Sequence, residues 1–102
     1  MSAADNKIDG ALPGAEVVKQ GMADLAAGQI TEFSLLLLIA APRLRRLGFT
    51  IQGHHIGQPY EHELYDRLEQ RLGTAAHSHY NSLIRRIDSY AHALEREQGR
   101  ET

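Results

Sequence analysis

Histidine is the residue type in this chain best suited to do chemistry. It occurs six times, as His54, His55, His62, His77, His79 and His92, in a sequence with no cysteine. Without cysteine, zinc ligation falls to histidine and carboxylate. The nearest grouping of that kind is His54 and His55 with His62 and either Glu61 or Glu63. It lacks the His-Glu-x-x-His spacing that places two imidazoles on one helical face. His77 and His79 are two residues apart, so a helix directs them roughly 200° from each other. His92 follows Asp88 by four residues, the spacing of a surface pair. The expected site inventory is therefore no metal and no cofactor, with the histidines solvated or at an interface.

Arginine is the second candidate. Arg43, Arg45 and Arg46 form one cluster, and Arg85 and Arg86 form another. Such clusters suit phosphate or an acidic partner. A turn at Gly28 between two helical segments invites comparison with a helix-turn-helix. The segment after that turn is leucine and isoleucine, whereas a recognition helix needs polar groups facing the groove. The acidic run Glu61, Glu63, Asp66 and Glu69 is a natural complement to the Arg43 cluster, within the chain or across an interface.

Catalytic groupings are weak. Ser78 lies between His77 and His79, but neighbours on a helix do not face one another. Glu61 and Glu63 point to different faces. Gly48, Gly53 and Gly57 are scattered and lack the Lys-Ser/Thr that follows a phosphate loop. The expectation is no catalytic residue and no enzyme.

Helices must carry these groups. From Ala76 the apolar positions Ala76, Tyr80, Leu83, Ile87, Tyr90 and Leu94 recur in steps of four and three, flanked by Ile84 and Ala91. That is a heptad seam, and it predicts a long final helix to about Gln98 that packs against another helix. Ala15, Val18, Met22 and Leu25 predict a first helix over Ala15 to Ala27, stopped at Gly28. Thr31 is an N-cap for a second helix through Phe33-Ser34-Leu35-Leu36-Leu37-Leu38-Ile39-Ala40-Ala41. This stretch is apolar all round and reads as a buried central helix. A short buried strand is the rival reading, less suited to leucine and alanine. Pro42 predicts a kink or restart, with Arg43 to Leu47 forming a further turn before Gly48. After a loop, Pro59 opens a third helix with stripe Tyr60, Leu64, Leu68 and Leu72, and Gly73 closes it.

The expected fold is all-α: a small four- to five-helix bundle with a buried, proline-broken second helix and a long C-terminal helix. Residues 1–13 read as a flexible leader, 14–98 as a single helical domain and 99–102 as a frayed tail. Expected core residues are Val18, Met22, Leu25, Phe33, Leu36, Leu37, Ile39, Leu44, Leu47, Leu64, Leu68, Leu72, Tyr80, Leu83, Ile84, Ile87 and Leu94.

The chain has 102 residues, 42% of them hydrophobic, and a net charge of −2. This excludes a strongly basic nucleic-acid coat. A bilayer span needs about 20 apolar residues, far more than Leu35 to Pro42 supplies. No secretory signal is legible at the N-terminus, so a cytoplasmic location and no membrane are expected.

Packing surface thus exceeds recognisable chemistry. The expectation is a small non-enzymatic protein–protein interaction module or regulator, with a protein partner or a second copy of itself. The alternative is a DNA-binding regulator using Arg43, Arg45 and Arg46 or Arg85 and Arg86. The seam outruns the stripes on the first and third helices, which predicts a homodimer through the C-terminal half of the last helix. Its interface candidates are Tyr80, Leu83, Arg86, Ile87, Tyr90 and Leu94, with Glu95 beside Arg86 at the rim. Arg43, Arg45 and Arg46 are candidate contacts for an anion or acidic partner.

Overall fold

A computed structural model describes residues 10–100, with the side chain of Arg100 excepted. Met1–Asp9, most of the expected leader, and the last two residues lie outside the described residues. The regular elements are α1 (Ala15–Ala26), α2 (Glu32–Arg46), α3 (Tyr60–Leu72), a short 3-10 turn (Gly73–Ala75) and α4 (Ala76–Arg100). No strand occurs among the described residues.

Local chemistry sets each boundary. Gly14 caps α1 with φ 79°, a left-handed conformation that glycine adopts without a Cβ penalty. Its position is also tight: a Cβ there would lie 2.3 Å from the Arg86 carbonyl oxygen on α4. At the start of α2 the Thr31 hydroxyl accepts from the Ser34 amide at 3.1 Å, and the Ser34 hydroxyl accepts from the Thr31 amide at 2.6 Å. This reciprocal pair satisfies donors that a helix start leaves open. Gly48, at φ 105°, ends the turn after α2 and lets the Phe49 amide reach the Leu44 carbonyl at 3.0 Å.

The centre of the molecule is α2. Leu35, Leu36, Leu37, Leu38, Ala41 and Leu44 are all buried, with α1, α3 and α4 each packed against it. Full burial of such a side chain contributes roughly 1.5–3 kcal/mol relative to exposure. The expected break at Pro42 does not occur. Helix α2 runs through it as one element, and Pro42 is exposed. The missing amide costs one backbone hydrogen bond, but buried Leu38 and Ala41 before it and buried Leu44 after it keep both flanks of the helix packed. Gly21 on α1 faces α2 so closely that a Cβ would lie 2.8 Å from the Phe33 carbonyl oxygen. That close approach buries Val17 and Val18 against the core.

The seam of α4 is covered within the chain. Ala76, Leu83, Ile87, Tyr90 and Ala91 are buried, while Tyr80, Ile84 and Leu94 pack partly buried at its margins. The loop after α2 supplies cover that helix stripes alone do not. Phe49 and Ile51 are both buried, and the Phe49 ring meets Tyr90 edge-on at 6.2 Å. Polar contacts fasten this loop. Arg45 Nε donates to the Ile51 carbonyl at 2.8 Å, Gln98 Nε2 donates to the Leu47 carbonyl at 2.7 Å, and the Tyr60 hydroxyl donates to the His54 carbonyl at 2.6 Å. Helix α4 continues through Gly99, which the sequence reading assigned to the tail.

Candidate functional site

Where α1, α2 and α3 meet, the start of α2 forms one wall of an open groove of about 630 Å³. Ile30 and Phe33 supply its apolar surface and are partly buried against the core. Gln20 and Asp24 line it from α1, and Arg67, Gln70 and Arg71 line it from α3. The four-residue step from Arg67 to Arg71 puts both guanidiniums on the same helical face. The capping box of α2 fixes the direction in which Phe33 leaves the chain.

The carboxylates around this groove are occupied. Asp24 accepts from Gln20 at 2.9 Å and from the Thr31 hydroxyl at 2.6 Å. Arg71 grips Glu32 with two parallel bonds, Nε to Oε2 and Nη2 to Oε1, each 2.8 Å. These bonds hold the Glu32 carboxyl below the ordinary carboxylate range and raise the Arg71 guanidinium. Glu63 accepts from Gln58 and from Arg67 Nε, both at 2.8 Å, and is likewise lowered by those two bonds. Arg67 Nη1 also caps the Ile30 carbonyl at 2.9 Å. Arg67, Arg71 and Gln70 all reach solvent, and Gln70 makes no side-chain hydrogen bond or ion pair.

A second, smaller cavity of about 460 Å³ lies against α4, lined by Pro13, Arg43, Asp88, Ser89, His92, Ala93 and Arg96. Arg43 is its centre and serves three acceptors. Glu95 and His92 Nδ1 each lie 2.6 Å from Nη2, and Asp88 lies 3.3 Å from Nη1. A guanidinium only donates, so His92 Nδ1 is the acceptor here. The bond from Arg43 is the main reason the Glu95 carboxyl is held below its usual range.

The sequence-derived candidates are dispersed by this arrangement. Leu83, Ile87 and Tyr90 are core residues, so they are not an exposed seam awaiting a partner. The physical reason is the packing of α4 against α3, α2 and α1, with Phe49 of the loop set against Tyr90. Tyr80 is half-buried beside Tyr65, with ring centroids 5.5 Å apart, and its hydroxyl is pushed up mainly by burial. Leu94 is half-buried, and Arg86 is exposed at 3.9 Å from Glu16. Glu95 pairs with Arg43 within the chain. The acids of α3 were the expected complement of Arg43; its actual partners lie on α4, and α3 carries Arg71 as well as Arg67. Arg45 and Arg46 are exposed, Arg45 being tied to Ile51.

The histidines do not converge. His55, His62, His77 and His79 are exposed, and His54 is half-buried in the loop. No group of three or more histidine, aspartate or glutamate side chains able to hold a metal ion occurs among the described residues. No helix there is long and apolar enough to cross a membrane. Sequence reasoning passed over the groove residues. The available signals were the Arg67–Arg71 step and Ser34 three residues after the Thr31 cap. No family model matches the chain, and neither a curated protein nor a solved structure matches it.

Proposed function

We propose that this chain is a non-enzymatic protein-interaction module that docks a partner segment in the groove between α1, α2 and α3. The observation that carries the reading is Phe33, a partly buried aromatic flanked by Arg67 and Arg71 on the wall of an open groove. Aromatic residues and arginine are the types enriched where protein interfaces concentrate their binding energy. A catalytic reading has no comparable support, because every carboxylate lining the groove is committed to a hydrogen bond from the chain itself.

The alternative of a DNA-binding regulator is less well supported. Arg43 is engaged by Asp88 and Glu95, and Arg86 has Glu16 nearby. The leucine face of the helix after the turn at Gly28 is packed in the core, which speaks against its use as a recognition helix.

Panning a random peptide library on the purified protein tests the proposal, with the bound peptides mapped by amide chemical shifts. Enriched peptides should perturb Ile30, Phe33, Arg67 and Arg71. Absence of enrichment, or shifts confined to another face, refutes it. Titrating random duplex DNA at increasing salt tests the alternative. Phosphate contacts give affinity that falls steeply with salt, and the expected result is no measurable binding at moderate ionic strength.

A further inference from the structure

We infer that Arg43, His92 and Glu95 form a protonation-sensitive latch between the C-terminal ends of α2 and α4, fastened while the imidazole is neutral and loosened when it is charged. The latch sits at the second cavity and is independent of the docking role proposed for the groove. Asp88, His92 and Glu95 follow one another on α4 in steps of four and three, so they share a helical face. Arg43 reaches them from the last turn of α2. Nη2 of Arg43 carries two hydrogens. His92 Nδ1 and Glu95 Oε1 each lie 2.6 Å from that nitrogen and take one hydrogen apiece. A guanidinium donates and does not accept, so Nδ1 presents its lone pair. The geometry therefore assigns His92 the neutral form, with its hydrogen on Nε2.

Protonation of Nδ1 breaks this arrangement. An N–H would then point at an N–H, and two cations would stand 2.6 Å apart. Histidine is the side chain whose charge ordinarily changes between about pH 5 and 8. His92 is exposed, so a proton reaches it without any opening of the fold. A new partner is close: Glu95 Oε1 lies 3.8 Å from Nδ1. Charged His92 would turn to Glu95, and Asp88, one turn back, supplies a second carboxylate. Both attractions lie within α4, whereas the bonds they displace join α4 to α2. Two further cations face the cluster, Arg96 lining the cavity and Arg46 of α2 acting on Glu95, and both oppose a charged imidazole. The segment before α1 contributes uncharged Pro13. The same two helix ends are also tied by Gln98 Nε2 donating to the Leu47 carbonyl, so release of Arg43 loosens the last turns of α4 without freeing them.

Long-range proton–nitrogen spectra of the labelled full chain test the latch from about pH 8 to about pH 5. His92→Gln keeps a neutral acceptor that does not titrate in this range, and the ring signal missing from its spectrum identifies His92. At the alkaline end the His92 ring should show the Nε2–H tautomer. As it titrates, the Arg43 guanidinium signals should shift with the same midpoint. Amide protection over residues 95–98, corrected for the intrinsic pH dependence of exchange, should fall by roughly two- to fivefold, the strength of one exposed charged pair. In His92→Gln both readouts should stay flat. An Nδ1–H tautomer at the alkaline end, Arg43 signals that ignore the His92 midpoint, or unchanged protection overturns the latch. The same drift in His92→Gln overturns it as well, because a general loosening in acid needs no histidine.

Discussion

Replacing Gly14 and Gly28 by alanine separates backbone strain from helix packing, because the two glycines share one and differ in the other. Gly14 has φ 79° and Gly28 has φ 73°, both left-handed. For a residue with a Cβ that conformation costs about 1–2 kcal/mol. At Gly28 nothing lies within 4 Å of the added atom, so strain is the whole effect. At Gly14 the new Cβ would stand 2.3 Å from the Arg86 carbonyl oxygen and 3.3 Å from Tyr90 Cβ. Both neighbours are held, the first in the α4 backbone and the second in the core, so α1 must withdraw from α4. Overpacking of this kind costs about 1–3 kcal/mol more. In a domain of this size 1 kcal/mol moves Tm by roughly 4–8 °C. Gly28→Ala should then melt about 4–16 °C below the parent, and Gly14→Ala about 8–16 °C lower still for a central difference of about 2 kcal/mol. Thermal melts followed by circular dichroism at 222 nm, about the minimum of the helical signal that propagates along α1 and α4, give the comparison. Equal melting temperatures for the two variants would refute the close approach of Gly14 to α4, and with it the docking of α1 on the final helix.

Three further outcomes are expected. Ile87→Asp places an unpaired charge at a position that is 2% exposed and should cost more than about 3 kcal/mol, whereas Ser89→Asp on the exposed face of α4 should shift the melt little; similar melts would mean that the seam faces outward. Thr31→Ala removes the acceptor for the Ser34 amide and the donor to Asp24, and should destabilise by about 0.5–2 kcal/mol in urea titration; an unchanged midpoint would discount the capping box. Arg71 beside Glu32 and Arg43 beside Glu95 hold these carboxyls below the ordinary carboxylate range, so their contribution to stability is present above that range and is lost as pH falls through the folded values. Glu32→Gln should flatten the acid side of the Tm profile below about pH 4.5, and an unaltered profile would show that the Arg71 pair carries no linkage.

Some of the molecule was legible in sequence because it depends on near neighbours. The Thr31 cap, the stops at Gly28, Gly48 and Gly73, and the inward stripe of α4 each follow from a few adjacent residues. All-α character follows from them, since caps and periodicity act within a turn or two of helix. Pro42 was misread because its local penalty is real, but burial on both sides of it in α2 outweighs one lost hydrogen bond. Phe49 to Ile51 reads locally as a brief extended stretch; that Phe49 lies against Tyr90 depends on where the loop returns, which no local pattern encodes. The pairings of Arg43 with Asp88 and Glu95, and of Arg71 with Glu32, span 45, 52 and 39 residues. Charge pointed to the acids of α3 as the complement of Arg43, whereas its partners lie on α4. The choice was made by how buried α2 packs against its neighbours, which also places Phe33 on the wall of the groove. Sequence periodicity determined which faces are apolar; only the packing of α1, α3 and α4 around α2 decided which polar groups those faces bring together.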